Sequence, residues 1–144
     1  MLKNLFMVAL TAVVAVGIVY ADQSTAKVVV QINKTAATSG RQMYASYCAS
    51  CHGIDGRGNG PVAVMLRKQP ADLSALSRNN GGRFPSEHVA TVLEFGAENM
   101  AHGTIEMPVW GPVLGKMDVS VPEQSMRQLR VSNLIRYIES MQEK

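Results

Sequence analysis

Both cysteines of this 144-residue chain lie in one short run, Cys48-Ala-Ser-Cys-His52. Residues three positions apart lie on the same side of a helical turn, so the two thiols would face one direction. The imidazole of His52 adds a nitrogen that can bind a metal. The rest of the chain is therefore expected to fold around a group that these three side chains hold.

The C-x-x-C-H spacing is the attachment signature of a c-type haem. Each thiol adds to a vinyl group of the porphyrin, and His52 becomes an axial ligand of the iron. A redox dithiol expects a βαβ setting, which this sequence lacks. A zinc site needs four ligands, and His88 and His102 are not spaced as a second pair. A disulfide would close a very small loop with limited entropic gain. The sequence thus predicts one covalently bound haem c on Cys48, Cys51 and His52.

The first 21 residues have the layout of a secretory signal peptide. Lys3 precedes an uncharged apolar run from Leu5 to Tyr20, and Val19-Tyr20-Ala21 offers a small-residue cleavage pattern. This run of 16 residues is shorter than the ~20 that span a bilayer comfortably. An uncleaved membrane anchor is the alternative. We expect export in either case, with a periplasmic protein that is attached to the inner membrane only if residues 1–21 are retained.

Residues 22–39 are predicted to form an extended arm ahead of the folded domain. They are rich in Ser, Thr, Ala, Lys and Gln around Val28-Val29-Val30, and β-branched residues favour an extended conformation. A flexible tether is the competing interpretation.

The charge of the chain argues against a nucleic-acid partner. The formal net charge is only +3, and no basic stripe is interleaved with aromatic residues. Arginines at positions 57, 67, 78 and 83 make the middle of the chain locally basic. A solvated surface is favoured over a docking patch as the explanation.

Four stretches of the chain are predicted to be helical. The first follows Ser39-Gly40 and leads to the C-x-x-C-H turn. A glycine-rich loop at 53–61 separates it from a short helix at 62–68, and a third helix begins at 85–87 and ends at Gly96. In the last helix, Ser120 and Glu123 have capping-box spacing. An apolar stripe follows at Leu134, Tyr137, Ile138 and Met141.

The second axial ligand is predicted to be Met107. It lies in the segment 103–112, Gly-Thr-Ile-Glu-Met-Pro-Val-Trp-Gly-Pro, which is irregular and bounded by glycine and proline. Pro108 restrains its neighbours and removes a backbone donor, so the loop can hold a thioether in a fixed place. Trp110 can wall the pocket. A thioether is a weak neutral ligand, and Met/His ligation raises the reduction potential.

Other side chains that can bind iron are weaker candidates. His102 lies on the same loop, and a surface position or a bond to a haem propionate is favoured for it. His88 lies within a helix beside Glu87 and is expected to be solvated. Met100 and Met117 remain as further alternatives.

Together these residues resemble the class I c-type cytochromes, all-α proteins whose helices wrap around one covalently bound haem. The resemblance covers about residues 40–142 and implies a cytochrome c domain at 40–144. The run at 48–52 matches the attachment motif of the family, and Met107-Pro108 matches its distal loop. Gly40 and Tyr44 match a small residue and an aromatic in the N-terminal helix. Leu134 and Tyr137 match the C-terminal helix that crosses it.

The resemblance also implies a role for the glycine-rich loop. Gly60-Pro61 looks like the loop proline of the family, whose carbonyl would accept a hydrogen bond from Nδ1 of His52. Such a bond orients the ring and tunes the metal. The arm at 22–39 departs from the core fold of the family. No ring of lysines of the kind that docks mitochondrial cytochrome c is present.

These expectations describe a one-electron carrier rather than an enzyme. With His52 and Met107 on the iron, no axial site remains for a substrate. The expected partners are one redox protein that donates the electron and another that accepts it. We expect the chain to be a monomer that binds each of them weakly and transiently. One alternative is a haem-bearing subunit of a periplasmic dehydrogenase or oxidase complex. Another is a gas-binding haem protein, which requires that Met107 does not ligate.

Overall fold

A computed structural model describes residues 34–97 and 107–143, all of which lie in one unit comprising residues 32–144. Every regular element in these two ranges is helical, which confirms the predicted all-α fold. No helix within the described ranges is long and apolar enough to cross a membrane. The signal segment, most of the arm, Met100 and His102 lie outside these ranges.

Six α-helices and two short 3₁₀ turns make up the described chain. The 3₁₀ turns cover Ala63–Met65 and Leu73–Ala75. The helices are α1 (Gly40–Tyr47), α2 (Ala49–His52), α3 (Leu76–Asn79), α4 (Ser86–Phe95), α5 (Trp110–Gly115) and α6 (Glu123–Ser140).

Helices α1 and α6 cross at Gly40, as the family resemblance implies. An added Cβ on Gly40 would lie 2.8 Å from Cβ of Tyr137, so only glycine permits this approach. The rings of Tyr44 and Tyr137 pack at a centroid distance of 5.3 Å beside the crossing. Leu134 is buried in the same contact. The crossing brings the two ends of the domain together and fixes the direction in which α1 delivers the attachment turn.

The core lies between α1, α4, α5 and α6. Its buried side chains are mainly aliphatic and aromatic, and they come from all four helices. The members from α1 and α6 recur at the three- and four-residue spacing that places them on one helix face. The cluster includes Met43, Tyr44, Tyr47, Val89, Leu93, Leu114, Val131, Leu134 and Ile138.

Helix starts follow the sequence less closely than helix faces. The first helix begins after Ser39 as expected, and Ser39 caps α1, because its hydroxyl accepts the N–H of Gln42 at 3.2 Å. The capping box predicted for α6 is wrong. The hydroxyl of Ser120 donates to Asp118 at 2.6 Å, and the residue before α6 is Pro122, with no side-chain cap. The helix predicted at 62–68 is reduced to the 3₁₀ turn at 63–65.

The end of the predicted arm is held against α6. Both Nη1 and Nη2 of Arg130 donate to Thr35, at 3.1 Å to the hydroxyl and 2.8 Å to the carbonyl. The side-chain amide of Asn133 donates to the carbonyl of Ala37 at 3.2 Å. Lys34 forms an ion pair with Asp118 at 3.3 Å. Residues 34–37 therefore lie along the domain surface.

Candidate functional site

The attachment turn is built directly onto the end of α1. Cys48 closes α1, since its N–H donates to the carbonyl of Tyr44. Its own carbonyl then accepts the N–H groups of Cys51 at 3.1 Å and His52 at 2.9 Å. These bonds fix both cysteines and the histidine in one turn, which follows from their sequence spacing.

The two thiols differ in exposure. Cys48 is 7% exposed and Cys51 is half-buried, and no disulfide joins them. Burial raises the pKa of the Cys48 thiol to about 12, and the neighbouring Cys51 contributes in the same direction. Before any covalent attachment, the thiol of Cys48 is therefore neutral at physiological pH.

One cavity of about 430 Å³ collects the attachment residues and the predicted distal ligand. Cys48, Cys51, His52 and Met107 all line it. Its remaining wall is mostly apolar, as expected of a site for a flat hydrophobic cofactor. The aliphatic lining residues are Leu66, Leu73, Leu76, Val89, Val92, Leu93 and Ile138.

His52 is oriented by a backbone carbonyl. Its Nδ1 lies 3.0 Å from the carbonyl oxygen of Ala71. A carbonyl can only accept, so Nδ1 carries the proton and Nε2 keeps a free lone pair for a metal. Burial lowers the pKa of His52, and the bond to Ala71 opposes that shift. The neutral, ligating form of the ring is thus favoured.

The hydrogen bond predicted between His52 and the carbonyl of Pro61 is wrong. Pro61 is exposed and lines a separate surface depression beside Ala45 and Ala49. The cause is local: Val62 donates its N–H to the carbonyl of Ser50 at 2.9 Å. That bond ties the segment around Pro61 to the outer side of α2, away from the imidazole.

The loop that carries Ala71 is joined to the glycine-rich loop by two hydrogen bonds. The N–H of Leu73 donates to the carbonyl of Gly56 at 2.6 Å, and the amide of Gln69 donates to the carbonyl of Gly58 at 2.8 Å. Gly58 has a φ of +74°, and an added Cβ would lie 3.2 Å from the carbonyl carbon of Pro70. The close approach of the two loops sets the position of the Ala71 carbonyl.

Met107 is the one methionine of the described ranges that lines the cavity. The others have different surroundings. Met43 is fully buried in the core and Met65 is 80% exposed. The sulfur of Met117 accepts from the hydroxyl of Tyr47 at 3.5 Å, outside the cavity lining. Of the alternatives named from the sequence, Met117 is therefore not placed at the site.

Trp110 lines the cavity, as expected, and begins α5. Its ring stacks on that of Tyr47 at a centroid distance of 5.5 Å and an interplanar angle of 27°. The hydroxyl of Tyr47 lies 2.8 Å from the hydroxyl of Thr35. The stacked rings of Tyr47 and Trp110 therefore form one wall of the cavity. The hydrogen bond to Thr35 holds the ring of Tyr47 in place.

Several polar contributions to the site were not predicted. The carbonyl of Ala71 accepts the hydrogen bond from Nδ1 of His52. Tyr47 was expected only as a helix-face residue. His88, expected to be solvated, is exposed but borders the cavity, as does Lys68. The helical spacing of His88 with Val92 was the available signal for its position.

The side chains present fit a covalently attached haem. Two thiols, one neutral imidazole and one thioether open onto the same apolar cavity. Sulfur and imidazole are the ligands that haem iron accepts in electron carriers. An Ala71 carbonyl on the second ring nitrogen adds the usual outer support for a metal-bound histidine.

A family model described as cytochrome c oxidase, cbb3-type, subunit III, matches residues 35–120 of this chain. The match includes the attachment turn, both hydrogen-bonded loops and Met107, and it covers more than half of the 144 residues. Searches of curated proteins and of solved structures gave no match.

Proposed function

Because this chain belongs to the family of cbb3-type cytochrome c oxidase subunit III, and is therefore a c-type cytochrome, we propose that it is a one-electron carrier. Its single haem c is held by Cys48 and Cys51 and ligated by His52 and Met107. The observation that carries this proposal is the shared cavity, which gathers these four side chains behind apolar walls.

The residues around the cavity have distinct tasks in this function. Ala71 holds the His52 ring in one orientation and one tautomer. Val89, Val92 and Leu93 exclude water from one wall. When bound, the haem supplies a one-electron couple, and its potential is tuned by the axial ligands and by burial. A site whose geometry changes little between the ferric and ferrous states keeps the reorganisation energy of electron transfer small.

A second function is favoured by the description of the family itself. The matched family is named for a subunit of an oxidase. This chain would then deliver electrons within a larger complex rather than between separate proteins. Size-exclusion chromatography of the native membrane and soluble fractions distinguishes the free carrier from the oxidase subunit. A monomeric haem protein supports the free carrier, and co-elution with a large haem oxidase supports the subunit.

Export is part of the proposal, since haem is attached to c-type cytochromes outside the cytoplasm. Residues 1–21 would direct export, and a cleaved protein would be periplasmic. Mass spectrometry of the purified chain tests this: a mature chain that starts at Asp22 supports a cleaved signal peptide, and the full-length chain supports a membrane anchor.

The attachment itself is tested by the double variant Cys48→Ala, Cys51→Ala, expressed with the haem-attachment machinery. The variant is expected to lose haem under denaturing electrophoresis, because no thioether remains. Ser50→Ala, an exposed change in the same turn, is the control and should retain haem. Covalent haem on the double variant, or none on the parent chain, would overturn the proposal.

A further inference from the structure

The side chain of Gln142, just after the end of α6, is bonded to the loop that carries the acceptor of the proximal histidine. Its amide nitrogen donates to the carbonyl of Leu73 at 2.7 Å, and its oxygen accepts the N–H of Ser77 at 2.8 Å. The same nitrogen donates to the carbonyl of Ile138 on α6 at 2.9 Å. Gln142 therefore joins α6 to the backbone between positions 73 and 77.

Leu73 is held through both of its backbone groups. Its N–H donates to the carbonyl of Gly56 in the glycine-rich loop at 2.6 Å, and its carbonyl accepts from Gln142. Leu73 follows Ala71 by two positions, and both residues line the cavity. The bond from Gln142 thus acts close to the carbonyl that orients His52.

Little freedom lies between Leu73 and Ala71. The single residue between them is Asp72, whose carboxylate accepts the N–H of Ser74 at 2.9 Å and its hydroxyl at 2.6 Å. Such a side-chain bond to the backbone two residues on makes a compact turn. A displacement of Leu73 would therefore be passed on to the Ala71 carbonyl.

Glu143 supports the same region, but its side chain contributes less. Its carboxylate pairs with Arg57 at 3.0 Å and also with Arg78. These arginine side chains are 58% and 63% exposed, and exposed ion pairs add little stability. The bonds of Gln142 are partly buried, so their loss would leave backbone groups without partners away from water. Gln142 is therefore the main tie.

We propose that Gln142 is a positioning residue for the proximal ligand. It holds the loop so that the Ala71 carbonyl stays on Nδ1 of His52 and Nε2 stays directed at the iron. The proposal rests on the proposed haem function. Outer hydrogen bonds of this kind fix the orientation of a metal-bound imidazole, and Gln142 acts on that bond through Leu73.

Two substitutions at this position test the proposal. Gln142→Met has a similar length and removes both bonds to the loop. Gln142→Glu keeps an acceptor for Ser77 but removes the donor to Leu73. Glu139→Gln, an exposed change in the last turn of α6, is the matched control.

The measurement is hydrogen exchange in the haem-loaded ferrous protein, followed by nuclear magnetic resonance. The Nδ1 proton of His52 reports on its bond to Ala71. The amide proton of Leu134 is the internal reference, because this residue is buried in the core and its exchange reports on global unfolding. The ratio of the two rates therefore separates opening of the loop from loss of overall stability.

Both Gln142 variants should raise this ratio by roughly fivefold or more, the factor that corresponds to the loss of one ordinary hydrogen bond. Glu139→Gln should keep the ratio of the parent chain. If one Gln142 variant does not mature, the other decides.

Two results would overturn the inference. One is an unchanged ratio in a Gln142 variant that binds haem, whether neither proton exchanges faster or both accelerate equally. The other is an equal rise in Glu139→Gln, which would assign the effect to the end of α6 in general. Failure of the haem function itself is different, since the parent chain would then carry no covalent haem.

Discussion

At the scale of single residues, the site depends on a partner that lies 19 positions from His52 along the chain. The carbonyl of Ala71 reaches the imidazole only because the loop at 69–73 packs against the glycine-rich loop. Gly58 permits that contact, since its φ of +74° and the nearby Pro70 leave no room for a side chain. One glycine therefore controls the hydrogen bond that orients the proximal ligand.

Gly58→Ala should weaken the hydrogen bond from His52 to Ala71 and thereby change the reduction potential of the iron. The new methyl group would push the loop at 69–73 outward and weaken the bond from His52 to Ala71. A less basic imidazole stabilises the ferric form less, so the midpoint potential should rise. Stability should fall by about 1–3 kcal/mol in urea unfolding.

Gly81→Ala is the matched control for this change. Gly81 also has a positive φ, +63°, but no atom lies within 4 Å of an added Cβ. It should share the backbone strain of about 1–2 kcal/mol and leave the potential unchanged. Equal potentials in both variants would show that the loop contact does not act on His52.

The residues of the attachment turn were predictable, whereas the partner of His52 was not. Cys48, Cys51 and His52 are set by spacing within one turn. The acceptor of His52 depends on how two loops pair in space, and the residues next to Ala71 in the sequence do not encode that pairing. The ligation by Met107 stays a prediction, supported by its place in the cavity lining.

At the scale of helices, the crossing of α1 and α6 positions the whole site. The attachment turn continues from α1, so any shift of α1 against α6 displaces Cys48. The contact at Gly40 and the paired rings of Tyr44 and Tyr137 hold this geometry. The hydroxyl of Tyr44 also donates to the carbonyl of Gly53 at 2.7 Å, which joins α1 to the end of the turn.

Gly40→Ala tests the crossing. In an isolated helix this change gains about 0.5–1 kcal/mol, but here the methyl group would meet the α6 backbone and Tyr137. We expect a net loss of about 1–3 kcal/mol in chemical unfolding. Ser46→Ala, an exposed change in the same helix, should be nearly neutral. A more stable Gly40→Ala variant would mean that the helices do not approach at this residue.

Helix faces were predictable because their spacing is local, and one helix start was not. The stripe at Leu134 and Ile138 is buried as expected. Ser120 has the right spacing to Glu123 for a cap, but its hydroxyl and N–H both bond to Asp118. The carboxylate of Asp118 takes both hydrogen bonds of Ser120, so Ser120 does not cap α6. The spacing of Ser120 and Glu123 alone does not show this.

At the scale of the whole molecule, the domain is built around a space that its own side chains do not fill. Without the haem, the apolar side chains that line the cavity of about 430 Å³ would face water and would lose their hydrophobic contribution to folding. The haem is therefore expected to be a structural part of the core.

The haem-free chain should consequently lack a fixed tertiary structure. The double variant Cys48→Ala, Cys51→Ala is expected to show weak near-ultraviolet circular dichroism and to bind a hydrophobic dye, with partial helix retained. Haem-loaded Ser50→Ala provides the folded reference. A cooperative melting transition of the haem-free chain close to that of the reference would contradict this expectation.

The central claim is a six-coordinate haem with His52 and Met107 as ligands, and the near-infrared absorption of the ferric protein tests it most directly. The parent chain should show the weak band of methionine–iron ligation. Met107→Ala should abolish the band and lower the midpoint potential, whereas Met65→Ala, an exposed methionine, should keep both. No band in the parent, together with ready binding of carbon monoxide at neutral pH, would contradict the account and favour a gas-binding protein.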